Sequence, residues 1–366
     1  MKLNFFLPTE IHMGTGSVAN NAKSVAKLGR KALIVTGKHS AKVCGALDDL
    51  TAALDSENIA YEIFDGAVPN PTIESVYAGA RAARNFGADF IAAIGGGSPM
   101  DTGKAIALLA AQDIPKSKLF SGNYPGKILP MVFIPTTAGT GSEVTQYSIL
   151  TDDEAKTKKT IASPGMFPTL ALLDPKYLRG LPINTAVNTA LDALSHCVES
   201  FLANRADRFS SLLALDGAKA IYSCFGALGR GELTDKELEL LLQYGALLGG
   251  IVIAQTATTA VHAMGYSLTY FRHIDHGRAN GLLLYEYLKF TNERCPGKVG
   301  DLLAALDVSL DGLGAGLKKL LGEVESFTED ELKGYAAIAI GAKNIKNCVA
   351  EPTEDELFDI YKKSLI

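Results

Sequence analysis

An α/β domain built on a doubly wound, Rossmann-like parallel sheet, followed by an all-α domain, is the architecture that this 366-residue sequence predicts. Three observations carry the prediction. Up to about residue 175, short β-rich apolar runs alternate with longer stretches of helical spacing, the pattern of repeated β-α units. Beyond Pro175 the strand-like runs stop, and Ala-, Leu- and Gly-rich segments with i, i+3, i+4 apolar spacing continue to the C terminus. Between the two lies Asp174 to Pro182, where two prolines and a glycine interrupt both patterns. The expected domains are residues 1–178 and 179–366, in keeping with about 150 residues per domain.

The elements follow in order. Lys31 to Thr36 (KALIVT) reads as a buried strand and Ser40 to Asp55 as a helix. Ile59 to Phe64 reads as the next strand and Ile73 to Phe86 as the next helix. Phe90 to Ile94 is a strand running into Gly95, Gly96 and Gly97, after which Pro99 to Ala111 is a helix and Met131 to Ile134 a strand. In the second half, breaks at Gly226–Glu232, Arg272–Gly277 and Cys295–Pro296 divide the helical pattern, and no internal repeat is present.

Composition narrows the function. Hydrophobic residues make up 47% and charged residues 20%, enough apolar area for sizeable cores and far from a disordered composition. A net charge of −5 provides no positive field to attract nucleic acid or an anionic membrane surface, so neither is an expected partner. Five scattered cysteines, Cys44, Cys197, Cys224, Cys295 and Cys348, form no CxxC pair; a reducing cytoplasm fits them better than a disulfide framework or a thiolate zinc site. The apolar run Leu3–Leu7 is too short for a signal-sequence core, and Ala246–Ala254 too short to span a bilayer.

Two turns have the chemistry of a phosphate cradle. Phe90 to Asp101 places three glycines at the end of a buried strand and Pro99 at the expected first helical position. The backbone can then approach a ligand closely, and the helix start offers free N–H groups and a positive dipole end to an anion such as pyrophosphate. The spacing is not the GxGxxG fingerprint, and an ordinary strand-to-helix turn with a Ser cap is the alternative. Ile134 to Glu143 (IPTTAGTGSE) again follows an apolar strand and packs hydroxyls and glycines together, with a hydroxyl-rich helix cap as its alternative. Both turns belong at the carboxyl ends of parallel strands, where open α/β sheets bind ligands.

Only six histidines occur: His12, His39, His196, His262, His273 and His276. Asp192 and His196 are i, i+4 on one expected helix and share a face whose other residues are apolar, so the pair should point inward. A buried Asp–His hydrogen bond explains that pair equally well when it is taken alone, and His262 alone reads as a core histidine. With His276 at the opening of the next helix, they make an N3O donor set suited to Fe2+ or Zn2+, without thiolate.

At this point the chain resembles, over essentially its whole length, the iron-containing (group III) alcohol dehydrogenases. The resemblance is carried by Gly95 to Asp101 (GGGSPMD), Pro135 to Glu143 (PTTAGTGSE), Asp192 to His196 with Glu199, and His262 fourteen residues before His276–Gly277. It implies a dehydroquinate-synthase-like architecture, with Asp192, His196, His262 and His276 as metal ligands. It also implies that Gly96, Gly97, Ser98 and Asp101 contact the cofactor phosphates and nearby ribose. Thr136, Thr137, Thr140 and Ser142 would line the adenine and nicotinamide path, with Lys158 close by. A homodimer acting on a small alcohol or aldehyde is the expected assembly. A divalent ion held by these ligands keeps positive charge and an open position, so it can bind and acidify an alcohol for hydride transfer to nicotinamide.

Three further expectations concern details of the site. Many relatives carry a proton-relaying histidine four residues after the His262 ligand; here the residue is Tyr266, a poorer base at neutral pH but a workable donor for aldehyde reduction. His273 is the alternative relay, or a solvated loop histidine. At the end of the first expected strand, Gly37 stands where NAD-specific sites place an acid; Ser40 can donate and Lys38 or Lys42 can face a 2′-phosphate, so NADP(H) is expected over NAD(H). An ordinary glycine turn followed by solvated lysines is the alternative there. Tyr147, Ile149, Ile253 and Gln255 are expected to line a pocket for a short, mostly apolar primary alcohol or diol. A glycerol-dehydrogenase-like or dehydroquinate-synthase-like enzyme is the alternative function, followed by a catalytically silent metal or nucleotide binder.

Overall fold

The computed structural model describes residues 5–154 and 157–366, so the opening run from Leu3 falls partly outside the described residues. The chain forms two compact units, Leu7–Gly180 and Leu181–Ile366, with Phe5 and Phe6 belonging to the second.

The first unit contains strands β1 (Glu10–Met13), β2 (Lys31–Thr36), β3 (Ala60–Phe64), β4 (Phe90–Gly95), β5 (Met131–Pro135), β6 (Tyr147–Asp152), β7 (Thr157–Ala162) and β8 (Leu170–Leu173). Six of them form a sheet in the order β1-β8-β5-β4-β2-β3, parallel throughout, while β6 and β7 pair as an antiparallel ribbon. Successive side chains alternate faces. Ala32, Ile34, Ala92, Ile94, Val132 and Ile134 enter one core, and Leu33, Val35, Ile91, Ala93, Met131 and Phe133 the other. Burial on both faces is why β2, β4 and β5 read as unbroken apolar runs.

The sheet order decides where a ligand belongs. From β2 the chain winds outward to β3, then returns to lay β4 on the opposite side of β2, so winding reverses between β2 and β4. Ligands of open α/β sheets bind at that reversal, beyond the carboxyl ends of the strands. Thr36 lies opposite Ile94 and Gly95 opposite Pro135, which brings the turns after β2, β4 and β5 out side by side.

Several boundaries differ from the sequence expectation. The helix expected over Ser40–Asp55 is two helices, Ser40–Val43 and Ala46–Ser56, separated where Gly45 takes a left-handed conformation (φ 82°). The glycine-rich helix begins at Gly97, two residues early, so Pro99 is its third residue; the proline costs nothing there because first-turn N–H groups have no partner inside the helix. Strands β1, β6, β7 and β8 escape the alternation pattern. β1 is a short edge strand with polar residues, β7 (TKKTIA) is mostly polar, and β8 has only four residues.

The second unit is helical. Helices Ile183–Phe201, Ala260–Arg272 and His276–Arg294 pack on one another, and the first is buried almost continuously from Ala190 to Phe201. The run Asp235–Thr256 is, by length and composition, apolar enough to cross a bilayer, and 67% of its most apolar stretch is buried within the unit. It is longer than the expected Ala246–Ala254 because π-helical Leu240–Ala246 continues directly into helix Leu247–Thr256.

Candidate active site

Asp192 is the centre of a cluster assembled from three helices. Its Oδ1 lies 3.9 Å from His196 Nε2, one turn away on the same helix, and 3.7 Å from both His262 Nε2 and His276 Nε2. The rings of His196 and His262 stack with centroids 4.8 Å apart, and that of His276 stands edge-on to His262 at 5.1 Å. Asp192, His196 and His262 are buried, whereas the His276 side chain is 25% exposed, giving the cluster one accessible side.

Four donors around a divalent ion with bonds of about 2.1 Å sit roughly 3.4 Å from one another. The observed separations from Asp192 are a few tenths of an ångström wider, and the candidate ligand atoms of Asp192, His196 and His262 all lie within 4.8 Å of one another. The donor set therefore fits a cation of the Fe2+ or Zn2+ kind: one carboxylate, three imidazoles and no thiolate. Burial opposes ionisation of Asp192, but the three imidazoles and the Asn280 amide outweigh it and hold its carboxyl below the ordinary range.

Close helix packing makes the cluster possible. A Cβ on Gly277 would lie 1.8 Å from the Asn188 carbonyl oxygen and 3.0 Å from Asp192 Cβ, so only glycine lets the His276 helix approach the Asp192 helix this closely. Two supporting residues carry no role in the sequence reading. Asn280, one turn after His276 and so on the same face, donates from Nδ2 to Asp192 Oδ1 at 2.9 Å. Glu199, three residues after His196, pairs through Oε2 with His262 Nδ1 and accepts from Thr259 N at 2.8 Å through Oε1. Each had an audible signal, a polar residue at helical spacing from a ligand.

The two relay candidates have different settings. Tyr266 stacks on His276 with ring centroids 5.4 Å apart. His273 is exposed and ends helix Ala260–Arg272 in a left-handed conformation (φ 54°).

In the first unit, the turns after β4 and β5 pack on each other. A Cβ on Gly96 would meet Thr137 Oγ1 at 3.0 Å, and one on Gly97 would meet Thr140 Cγ2 at 2.8 Å. These glycines are required by the neighbouring turn, and they keep the start of helix Gly97–Ala111 bare, with Ser98 in its first turn, as an anion cradle needs. Asp101 ties elements together: Oδ1 accepts from Ser142 Oγ at 2.7 Å and Oδ2 from Ile149 N at 2.9 Å. Lys104, fully buried one turn later, donates to Ser142 Oγ, Thr145 Oγ1 and the Tyr147 carbonyl at 2.7, 3.1 and 2.8 Å. Burial brings its ammonium down to about 8 against the pull of Asp101 and Glu143. Lys104 was not anticipated, although a lysine in an apolar helix three residues after an aspartate is the signal that could have found it.

The remaining expected positions are spread over both units. Gly37 follows β2 directly, with Ser40 opening the short helix after it. Thr136 is buried at the end of β5, and Lys158 lies on β7 opposite Thr151. Tyr147 and Ile149 share the less buried face of β6. Ile253 is buried in helix Leu247–Thr256, and Gln255 spends its amide on the backbone of Phe6, accepting from N and donating to O at 3.0 Å each.

Comparison with known proteins gives a consistent result across the chain. A family model described as iron-containing alcohol dehydrogenase matches residues 8–175, and one described as the C-terminal part of the Fe-containing alcohol dehydrogenase family matches residues 186–365. Lactaldehyde reductase of Escherichia coli is 33% identical over 304 residues, covering 82% of this chain and 78% of that protein. Alcohol dehydrogenase 4 of Schizosaccharomyces pombe is 30% identical over 381 residues, covering 99% and 89%. The crystal structure of an iron-containing alcohol dehydrogenase from Thermotoga maritima superposes with a TM-score of 0.91 at 37% identity, covering 99% of each chain.

Proposed function

The chain belongs to the iron-containing alcohol dehydrogenase family, oxidoreductases acting on CH–OH groups, and on that premise we propose that it interconverts a small primary alcohol or diol and its aldehyde with NADP(H) in preference to NAD(H). The observation that carries this reading is the convergence of three imidazole nitrogens on one carboxylate oxygen, 3.7 to 3.9 Å away.

In this reading Asp192, His196, His262 and His276 hold Fe2+ or Zn2+, within a metal-binding domain of residues 179–366. The dinucleotide belongs to residues 1–178, with its phosphates at Gly96, Gly97 and Ser98 and its remaining length along Thr136, Thr137, Thr140, Ser142 and Lys158. When bound, the cation supplies Lewis acidity to the substrate oxygen and the nicotinamide carries the hydride. The residues of this chain do the rest. Asp101 and Lys104 hold the two cofactor turns in register through Ser142, so that neither must be ordered anew on binding. Tyr266, lying against His276, holds or gives up the proton that accompanies hydride transfer. Tyr147 and Ile149, on the less buried face of β6, favour a short, mostly apolar substrate.

NADP(H) selection is read from Gly37, which leaves room after β2 and presents no acid to a 2′-phosphate, with Ser40 and the exposed Lys38 and Lys42 nearby. A homodimer fits the apolar side chains that the helical unit leaves exposed, among them Phe6, Phe209 and Leu212. Five free cysteines favour the cytoplasm.

Metal analysis of the purified protein, together with NADPH and NADH consumption against a panel of short aldehydes, tests the reading. Net NADPH oxidation that disappears on chelation and returns with Fe2+ or Zn2+ is the expected result. Turnover indifferent to chelation would remove the metal from the reaction, and a preference for NADH would reverse the cofactor assignment.

A further inference from the structure

We infer that Glu199 is a positioning residue for the metal centre: it keeps the proton of His262 on Nδ1, so that Nε2 faces the ion as a lone pair, and it caps the helix that carries His262. The inference rests on the ligand assignment proposed above.

Glu199 is fully buried on the helix that also bears Asp192 and His196. Its two oxygens do different work. Oε1 accepts from Thr259 N and Thr259 Oγ1, both at 2.8 Å, and from His262 N at 3.2 Å. Thr259 is the N-cap of helix Ala260–Arg272 and its own side chain makes no capping bond, so a carboxylate from a different helix takes over the orphaned N–H groups. Oε2 pairs with His262 Nδ1. An ionised carboxylate only accepts, so in the metal-binding imidazole Nδ1 is the donor and Nε2, 3.7 Å from Asp192 Oδ1, is left with its lone pair. One side chain thereby sets where His262 stands and which nitrogen it offers.

Glu199→Gln separates these two jobs. The Oε1 position faces two backbone N–H groups, which cannot accept, so the glutamine oxygen must take that place and its NH2 must face His262 Nδ1. The cap bonds survive, but an N–H donating to Nδ1 moves the imidazole proton to Nε2 and blocks the metal. In chelator-stripped protein, Zn2+ competition against a chromophoric chelator should show affinity weakened about 10- to 100-fold in Glu199→Gln. The melting temperature of the metal-free variant should stay close to that of the wild type, whereas Glu199→Ala should lower both. Wild-type Zn2+ affinity in Glu199→Gln overturns the inference. Ring 15N shifts of His262 in the zinc-loaded wild type need no variant: they should report a protonated Nδ1 and a metal-bound Nε2, and the reverse assignment overturns it equally. His262→Ala is the control. If it binds Zn2+ like the wild type, the ligand assignment itself is wrong; if it loses Zn2+ while Glu199→Gln does not, only the role of Glu199 fails.

Discussion

The phenol ring of Tyr266 lies face to face with the imidazole of His276, with centroids 5.4 Å apart and planes within 12° of parallel. One turn of helix separates Tyr266 from His262, so the same packing that brings His262 to Asp192 sets a phenol beside the only partly exposed histidine of the cluster.

Tyr266→Phe keeps that stacking and removes only the hydroxyl. If the hydroxyl moves the proton, kcat for aldehyde reduction should fall by about 10²-fold, the lower end of general acid catalysis. In the wild type, alcohol oxidation should require more alkaline conditions than aldehyde reduction, because the phenol must be ionised in one direction and protonated in the other. Identical pH–rate profiles for the two directions, or an unchanged profile in Tyr266→Phe, would dismiss the role. His273→Gly, which suits the left-handed backbone there, should leave kcat unaltered.

His276→Ala removes the most accessible of the four candidate ligands. Bound metal and turnover should drop by orders of magnitude while far-UV circular dichroism stays that of the wild type, because the helical unit is held by its apolar core. Stoichiometric metal and near-normal turnover in this variant would take His276 out of the site.

Gly37→Asp reads cofactor selection without a steric complication. A Cβ at Gly37 would meet only the Ala67 carbonyl oxygen, at an ordinary 3.7 Å. A carboxylate there should repel the 2′-phosphate by several kcal/mol, on the order of 100-fold or more in the ratio of NADPH to NADH dissociation constants. Equal affinity of the wild type for both cofactors, or an unchanged ratio in the variant, would defeat the NADP(H) assignment.

Glu143 should make stability depend on pH. Burial raises its carboxyl from 4.5 to about 7, against the pull of its own backbone N–H and of Lys104. The folded state thus holds this proton more tightly than the unfolded chain does, so the group's contribution to stability is fully present below 4.5 and is lost as pH rises through about 7. Glu143→Gln stays neutral, and its advantage over the wild type should grow between pH 5 and 7.5, up to about 3 kcal/mol. Urea denaturation at both pH values measures it; a difference that is constant with pH would mean that Glu143 is ionised throughout.

What the sequence determined by itself is what depends on near neighbours. Helix Ile73–Phe86 and strand β2 have the bounds expected of them, because a 3.6-residue or two-residue period is written within a dozen positions. The shared face of Asp192 and His196 is of the same kind, since an i, i+4 pair needs nothing beyond its own helix. Gly45 split an expected helix because one left-handed residue overrode the average pattern, and β7 hid because its residues are mostly polar. Tertiary structure alone decided what depends on approach. It decided that helices distant in sequence come close enough at Gly277 for His276 to reach Asp192, that Glu199 caps a helix other than its own, and that Lys104 is enclosed by hydroxyls from a turn some forty residues away. A polar residue reads the same in sequence whether it faces water or a buried partner; only the packed chain, which removes the water and leaves one set of partners within 3 Å, distinguishes the two.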